Sequence, residues 1–129
     1  MEFGDSNAIY LQIADHFCEN ILLGKWNSGD RIPSVREMAV GIEVNPNTVL
    51  RTYNYLQEKG IIYNKRGIGY FVSDDGLEKT LQLRKEDFVG HELPRFFKAM
   101  SLLNITMDEL QVYFEEFRNG KRSDERKDI

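Results

Sequence analysis

The spacing of apolar residues predicts a first helix over residues 8–23. An apolar side chain recurs at every fourth position from Ile9 to Ile21, and most of the residues between these positions are polar. Gly24 stands where such a helix ends. The next segment, 25–33, is rich in residues that favour turns, so we expect a loop there.

Two further helices are predicted in close succession. Ser34 and Glu37 have the spacing of a capping box, in which each side chain accepts from the other residue's backbone N–H. We expect Gly41 to lie near the C-terminal end of this second helix and to help stop it. A third helix is predicted over 46–59, because Asn45 is a good N-cap and the proline after it fits the first helical turn.

After the third helix the period changes to that of a strand. Residues 61–64 and 68–72 are rich in β-branched and aromatic side chains, and the connector 65–67 contains a glycine. This pattern predicts a β-hairpin with a basic tip. Three helices followed by a hairpin make a winged helix-turn-helix domain, which we place at 1–73, so the fold class is mostly α with a small β-hairpin.

The pattern is helical again over 74–119. Pro94 is expected to start or kink a helix near Glu92, and Thr106 with Glu109 resembles a second capping box. We interpret 74–119 as a helical dimerisation region. The segment 120–129 is almost wholly charged and is expected to be a disordered tail.

Composition excludes several classes of protein. A single cysteine cannot form an intrachain disulfide, and two histidines exclude a zinc site of the usual Cys/His spacing, so we expect no metal or cofactor. No apolar run approaches the ~20 residues needed to cross a bilayer, so no membrane contact is expected. These features are typical of a cytoplasmic protein.

The charge of the chain is unevenly distributed. The net charge of −4 alone argues weakly against a nucleic-acid partner. The segment from Ser34 to Val72, however, contains five basic and three acidic residues, whereas the segment from Asp74 onwards contains ten basic and thirteen acidic residues. Because the local sign decides what a surface can contact, the helix-turn-helix segment remains compatible with DNA.

The short joint between the second and third helices leaves the N-terminal end of the third helix free to enter the major groove. Asn47, Thr48, Arg51 and Thr52 are the side chains suited to reading bases there. Arg36 is suited to a phosphate, and Lys65 and Arg66 to an adjacent minor groove. Each also has a simpler explanation, such as an ion pair between Arg51 and Glu58 or a solvated hairpin tip.

The order of these features resembles the DNA-binding domain of the GntR family of bacterial transcription regulators. The matching segments are 10–13, 29–39, 44–49, 56–60 and 66–72. The Asn-Pro-Asn-Thr start of the third helix and the short C-terminal part are similar to the YtrA-type subfamily.

The resemblance implies roles for residues that otherwise look like caps and turns. Ser34 and Arg36 would contact the DNA backbone or the groove edge, and Gly67 would enter the minor groove. The start of the recognition helix would hold Asn45, Asn47 and Thr48. Pro46 and Leu50 stand where better-known branches often carry arginine, so base reading is expected to shift to Asn47 and Arg51. We therefore transfer no operator sequence.

The helical region is too short for the ligand-binding domains of most of the family, and its apolar residues need cover. A second copy would provide it and would place two recognition helices on the half-sites of a palindromic operator. The alternative is that these residues fold back on the winged helix of the same chain. The residues assigned to the dimer contact are Leu77, Leu81, Phe88, Phe96, Met100, Leu103 and Phe114.

The sequence therefore predicts a homodimeric, sequence-specific transcriptional regulator that binds double-stranded DNA. By resemblance it is a repressor of its own operon or of a neighbouring operon, such as one of transporter genes. The alternative is a winged-helix module that binds proteins instead of DNA. No nucleophile elbow, phosphate loop or metal-ligand cluster is present, so we do not expect an enzyme. The effector is unknown, and His91 beside Glu92 is only a weak candidate ligand pair.

Overall fold

The computed structural model describes the backbone of residues 8–127 and the side chains of residues 8–120. The chain forms two compact units, the first ending at Glu86 and the second beginning at Asp87. The helices of the first unit are α1 (Ile9–Leu22), α2 (Val35–Ile42), α3 (Pro46–Glu58) and α4 (Gly76–Asp87), and its strands are β1 (Arg31–Ile32), β2 (Ile62–Lys65) and β3 (Gly69–Val72). The second unit contains a π-helical turn (Phe88–Glu92), α5 (Leu93–Leu103) and α6 (Met107–Lys127).

The predicted fold class is confirmed, because three helices are followed by a small antiparallel sheet. The sheet has three strands in the order β1-β3-β2, so it contains one strand more than the predicted hairpin. The extra strand lies in the segment expected to be a loop, where Ile32 pairs with Tyr70. Ile32 is buried, and this pairing anchors the wing to the chain just before α2.

Aromatic rings fill the centre of the first unit. Phe17 of α1 lies with its ring centroid 4.5 Å from that of Trp26 and 5.9 Å from that of Tyr53. Tyr53 of α3 also meets Tyr70 of β3 edge-on at 4.8 Å. Its hydroxyl donates a 2.6 Å hydrogen bond to the Pro33 carbonyl oxygen, and burial raises the pKa of this phenol. The core thereby holds α3 against both α1 and the wing.

Helix α4 belongs to the first unit, beyond the boundary expected at residue 73. Gly76 is buried, and a Cβ there would lie 2.7 Å from a methyl carbon of Val72. Thr80 is fully buried, and the guanidinium of Arg84 pairs with the carboxylate of Asp15 in α1. These contacts fasten α4 to the winged helix, and a boundary based on the end of the hairpin does not anticipate them.

The second unit starts with a local widening of the helix. Pro94 has no N–H and its ring crowds the preceding turn, so the π-helical turn that ends at Glu92 relieves the clash before α5. This agrees with the break expected near Glu92. Asn104 then closes α5 in the left-handed region with φ 58°, and the Thr106 hydroxyl accepts from the Glu109 N–H at 3.1 Å.

The charged tail differs from its prediction. Helix α6 continues to Lys127, so the backbone of 120–127 is helical where disorder was expected. Lysine, arginine and glutamate are good helix formers, and a segment rich in them can extend a helix that has already begun. The last two residues of the expected tail lie outside the described residues. Between residues 8 and 127, no helix combines the length and the apolar character needed to cross a bilayer.

Candidate nucleic-acid interface

The start of α2 is held by the predicted capping box. The Ser34 hydroxyl accepts from the Glu37 N–H at 3.0 Å, and the Ser34 N–H donates to a Glu37 carboxylate oxygen at 2.9 Å. The backbone N–H and then the hydroxyl of Ser34, helped by the charge of Arg31, lower the pKa of Glu37. Arg36 is exposed in this first turn. The helix N-terminus and this arginine together favour a phosphate, and Glu37 opposes it.

The joint between α2 and α3 is closed by a residue that is not glycine. Glu43 takes the left-handed conformation with φ 56°, and its N–H donates to the Val40 carbonyl. The Val44 N–H donates to the Ala39 carbonyl at 3.0 Å, which completes a Schellman cap. Gly41 is the last residue but one of α2, so it lies near the C-terminal end as expected, and the left-handed Glu43 closes the helix. The tight cap leaves only residues 43–45 between α2 and α3, and Asn45 and Asn47 at the start of α3 are exposed.

The recognition helix α3 begins at Asn45. Its side-chain oxygen accepts from the Asn47 N–H at 2.7 Å, and Pro46 occupies the first turn. Asn45 and Asn47 are exposed, whereas Thr48 is half-buried. The predicted cap is therefore present, and the amide of Asn47 is the polar group at this end that remains available to a base edge.

Farther along α3, the outward face carries one predicted residue and one that was missed. Asn47, Arg51 and Asn54 are exposed and recur at i, i+4 and i+7, so they share one side of the helix. The guanidinium carbon of Arg51 lies 4.0 Å from the ring centroid of Tyr10 in α1. Asn54 could have been found from the same helical spacing. Tyr10 could not, because its contact with Arg51 depends on the packing of α1 against α3.

Thr52 is not available to DNA, so its prediction is wrong. Its side chain is fully buried on the inner face of α3. The hydroxyl donates to the Tyr10 carbonyl at 2.8 Å and lies 3.2 Å from the Thr48 carbonyl. Thr52 follows the buried Val49 by three residues, and this spacing was the available sign that it faces inward.

The wing presents the predicted basic residues. Lys65 ends β2, one residue later than expected, and its ammonium lies 5.3 Å from the centroid of the Phe71 ring. Arg66 is exposed, and Gly67 takes φ 77° at the third position of the turn from Lys65 to Ile68, where glycine is favoured. No atom lies within 4 Å of a Cβ built on Gly67. The tip is therefore open to a groove.

A further basic side chain lies at the base of the wing. Arg31 is exposed, and a Cβ on Gly69 would approach its Nε to 3.1 Å. Gly69 has φ 144°, which also favours glycine. Arg31 thus lies across β3, and its charge acts on Glu37 at the start of α2. The sequence predicts a loop at Arg31 and no role for it, because no local pattern indicates the pairing of β1 with β3.

The residues assigned to the dimer contact fall in both units. Met100 is buried within the single chain, so it is not available to a partner and its assignment is wrong. The other six are at least 45% exposed, namely Leu77, Leu81, Phe88, Phe96, Leu103 and Phe114. The second unit also exposes further large apolar residues, namely Phe97, Leu102, Met107, Val112 and Phe117. The dimer assignment omitted them, although they are apolar residues of the region predicted to be helical.

The described residues give no metal centre. Over residues 8–120, no three His, Cys, Asp or Glu side chains lie together in a way that could hold an ion. His91 is exposed, with Nδ1 at 3.2 Å from the Asp87 carbonyl oxygen, and Glu92 pairs with Arg95 at 3.9 Å. Cys18 is buried in the core of the first unit. The polar groups exposed at the starts of α2 and α3 and on the wing are amides, arginines and lysines.

Comparison with known proteins identifies this arrangement. The model of the family described as bacterial regulatory proteins, gntR family, matches residues 9–72. The HTH-type transcriptional regulator YhcF of Bacillus subtilis is 35% identical over 92% of this chain and 97% of its own length. The HTH-type transcriptional repressor YtrA of the same organism is 32% identical over 92% of this chain and 94% of its own length.

A solved structure agrees over nearly the same span. A GntR-family regulator from Bacteroides thetaiotaomicron superimposes with a TM-score of 0.76 and 47% identity, covering 88% of this chain and 99% of its own. The two relatives and the solved structure cover both the winged helix-turn-helix and the short helical region, whereas the family model covers the winged helix-turn-helix alone. The chain therefore belongs to the gntR family of bacterial regulatory proteins, which are DNA-binding transcription regulators and not enzymes.

Proposed function

We propose that the chain is a homodimeric repressor that binds a palindromic operator in its own or a neighbouring operon. The observation that carries this proposal is the shared exposure of Arg36, Asn47 and Arg66 on the first turn of α2, the first turn of α3 and the wing tip. These are the parts of a winged helix-turn-helix that meet phosphates, the major groove and an adjacent minor groove.

Charge supports the same surface. Arg31, Arg36, Arg51, Lys65 and Arg66 are all exposed, although the whole chain carries a net charge of −4. DNA affinity depends on cations placed against phosphates and not on the total charge. The acidic residues outside this segment would reduce non-specific binding, so the complex should depend strongly on the correct operator.

The second unit supports the dimer. Single exposed apolar residues are common, but many large ones within one small helical unit are typical of an interface. Phe96 and Phe97 are both nearly half exposed with their ring centroids 6.2 Å apart, and Leu102 is 74% exposed. A two-fold dimer would cover such residues and would place two recognition helices about one helical turn of DNA apart. The name of the relative YtrA, a repressor, supports repression.

Fluorescence anisotropy on the upstream intergenic DNA of the chain's own operon tests this function. Four phosphate contacts per dimer would weaken binding about 150-fold between about 50 mM and about 200 mM salt. Arg36→Ala and Arg66→Ala should weaken binding, whereas Lys98→Ala, which removes an exposed lysine from α5, should not.

Loss of the complex to unrelated competitor DNA at equal concentration would contradict sequence-specific binding. Equal losses for the interface variants and for Lys98→Ala would contradict the placement of the surface. Repression is tested with a reporter under the same promoter, whose output should fall when the chain is present. A rise in output would show activation.

A further inference from the structure

Tyr10 is fixed to the recognition helix at two points. Its backbone carbonyl accepts the Thr52 hydroxyl at 2.8 Å. Its ring meets Tyr55 edge-on, with centroids 6.2 Å apart and planes at 79°. Tyr10 therefore has a defined place beside α3, although it lies in the first turn of α1.

Arg51 rests on this fixed ring. Its guanidinium carbon is 4.0 Å from the Tyr10 centroid, well inside the range of a cation–π contact. A guanidinium that stacks by its face keeps its N–H donors pointing outward in its own plane. The stack therefore orients Arg51 without using the donors that bind an anion, and it reduces the rotamer freedom that binding would otherwise remove.

The contact with Tyr10 also determines where the Arg51 guanidinium lies relative to α3. An arginine that reads guanine extends its two-pronged end to the base edge. Arg51 instead lies toward α1, at the side of α3, beside the first turn of α1. That turn is the positive end of the α1 dipole, although the Leu11 N–H there already donates to the Ala8 carbonyl oxygen at 3.1 Å, so the dipole also favours an anion at this position. A phosphate is the group of DNA that suits this position.

We propose that Tyr10 is a positioning residue that holds the Arg51 guanidinium for a DNA phosphate beside the recognition helix, so that Arg51 does not read a base. This inference rests on the proposed function, because it assumes that α3 enters the major groove. It replaces the expectation that base reading shifts to Arg51 and leaves Asn47 as the reader at the start of the helix.

The test is the affinity of the full chain for its operator, measured by anisotropy at several salt concentrations. Arg51→Gln should weaken binding about 10-fold and lower the slope of log affinity against log salt by about 2 per dimer, one for each lost phosphate contact. Tyr10→Leu should weaken binding about 2- to 5-fold, and Tyr10→Phe should bind as the wild type. The double variant Tyr10→Leu/Arg51→Gln should bind no more weakly than Arg51→Gln alone.

Two comparisons distinguish positioning from a structural role. Lys59→Gln is the matched control, because Lys59 also lies over a tyrosine ring, that of Tyr55 at 5.6 Å, but at the far end of α3. It should leave the operator affinity unchanged. Arg51→Lys keeps the charge without the flat stacking group and should fall between the wild type and Arg51→Gln, which tests the proposal even if Tyr10→Leu folds poorly.

Each contrary result has a separate meaning. If Arg51→Gln alters the preference at one base position, Arg51 reads a base and the inference is wrong. The inference is also wrong if the losses of binding free energy of the two single variants add in the double variant. It is wrong as well if Arg51→Gln leaves the slope of log affinity against log salt unchanged. A wild-type chain that binds no operator overturns the proposed function together with the inference. Normal wild-type binding with unaffected variants overturns the inference alone.

Discussion

The two units of the chain differ in how their apolar side chains are covered. In the first unit, Phe17, Tyr53 and Leu56 are at most 1% exposed, and a continuous core holds the helices and the wing together. Among the described side chains of the second unit, only Met100 is buried among the large apolar residues, while Phe117 is 63% exposed. The first unit has a continuous core of its own, whereas the second exposes the apolar residues that the proposed dimer would cover.

In the proposed function, this difference assigns DNA binding to the first unit and dimerisation to the second. A rigid core positions side chains for a DNA groove, because a recognition helix that moved would lose its contacts. The exposed apolar residues of the second unit would be removed from water in the proposed dimer, which would stabilise that unit. We therefore expect stability of the first unit to be independent of protein concentration, and stability of the second to rise with it.

The largest effect is expected from equivalent truncations in the two units. Phe17→Ala removes a buried ring beside Trp26 and Tyr53 and should lower the free energy of unfolding by about 3–5 kcal/mol at any protein concentration. Phe117→Ala removes an exposed ring and should change the stability of the monomer by less than about 0.5 kcal/mol. Urea unfolding at low concentration measures both. Equal losses would show that the units do not differ as described.

The next effect is on assembly. The double variant Phe96→Glu/Phe114→Glu should be monomeric, because it places two charges among the exposed apolar residues of α5 and α6. Its melting temperature should no longer rise with protein concentration, whereas that of the wild type should. Lys98→Glu is the control, since it changes an already exposed charge on α5. A concentration-independent wild-type melting temperature would contradict the dimer.

Two buried threonines of the first unit differ in hydrogen bonding and therefore test its core. The Thr52 hydroxyl donates to the Tyr10 carbonyl, whereas the equally buried Thr80 hydroxyl has no hydrogen-bond partner within the described residues. Thr52→Val should therefore destabilise by about 1 kcal/mol, and Thr80→Val should be neutral or stabilise by up to about 1 kcal/mol. Chemical denaturation measures the pair, and the opposite order would contradict this part of the core.

At the joint before the recognition helix, we expect stabilisation both from adding a glycine at residue 43 and from removing the glycine at residue 41. Glu43→Gly relieves a left-handed backbone and should stabilise by about 0.5 kcal/mol. Gly41→Ala adds a Cβ that meets no atom within 4 Å inside α2 and should stabilise by a similar amount. Thermal unfolding of each variant checks this. A loss of stability in Glu43→Gly would show that its side chain makes a favourable contact.

The smallest effect is the pH dependence of the capping box. Because the folded chain lowers the pKa of Glu37, ionised Glu37 stabilises the fold above its unfolded pKa, and this contribution is lost as the pH falls through the lowered folded pKa. The wild type should therefore exceed Glu37→Gln in stability at pH 7, and the difference should disappear in acid. Urea midpoints across this pH range measure it. A constant difference would mean that the carboxylate charge has no part in the cap.

Local hydrogen bonds made much of this fold predictable. The caps at Ser34, Asn45 and Thr106 depend on residues two or three positions apart, so their signals lie together in the chain. The change of period after α3 likewise marked the wing. Since these local elements occur in a fixed order, they were sufficient to indicate the fold class and the family.

Contacts between distant residues were not predictable in the same way. Strand β1 has two residues and exists because it pairs with β3. The hydrogen bond of Thr52 to Tyr10 and the stack of Arg51 on Tyr10 both require α1 to lie against α3, and no short pattern encodes such packing. Helical spacing alone, in contrast, was sufficient to place Thr52 inward and Asn54 outward.

Sedimentation equilibrium of the chain, alone and with its operator duplex, tests the central claim most directly. The account predicts a free species of twice the 15.1 kDa chain mass, and two chains on each duplex. The Phe96→Glu/Phe114→Glu variant should sediment as a single chain and need a higher concentration to saturate the duplex. A wild-type mass of one chain at concentrations that saturate the DNA, with one chain per duplex, would contradict the account.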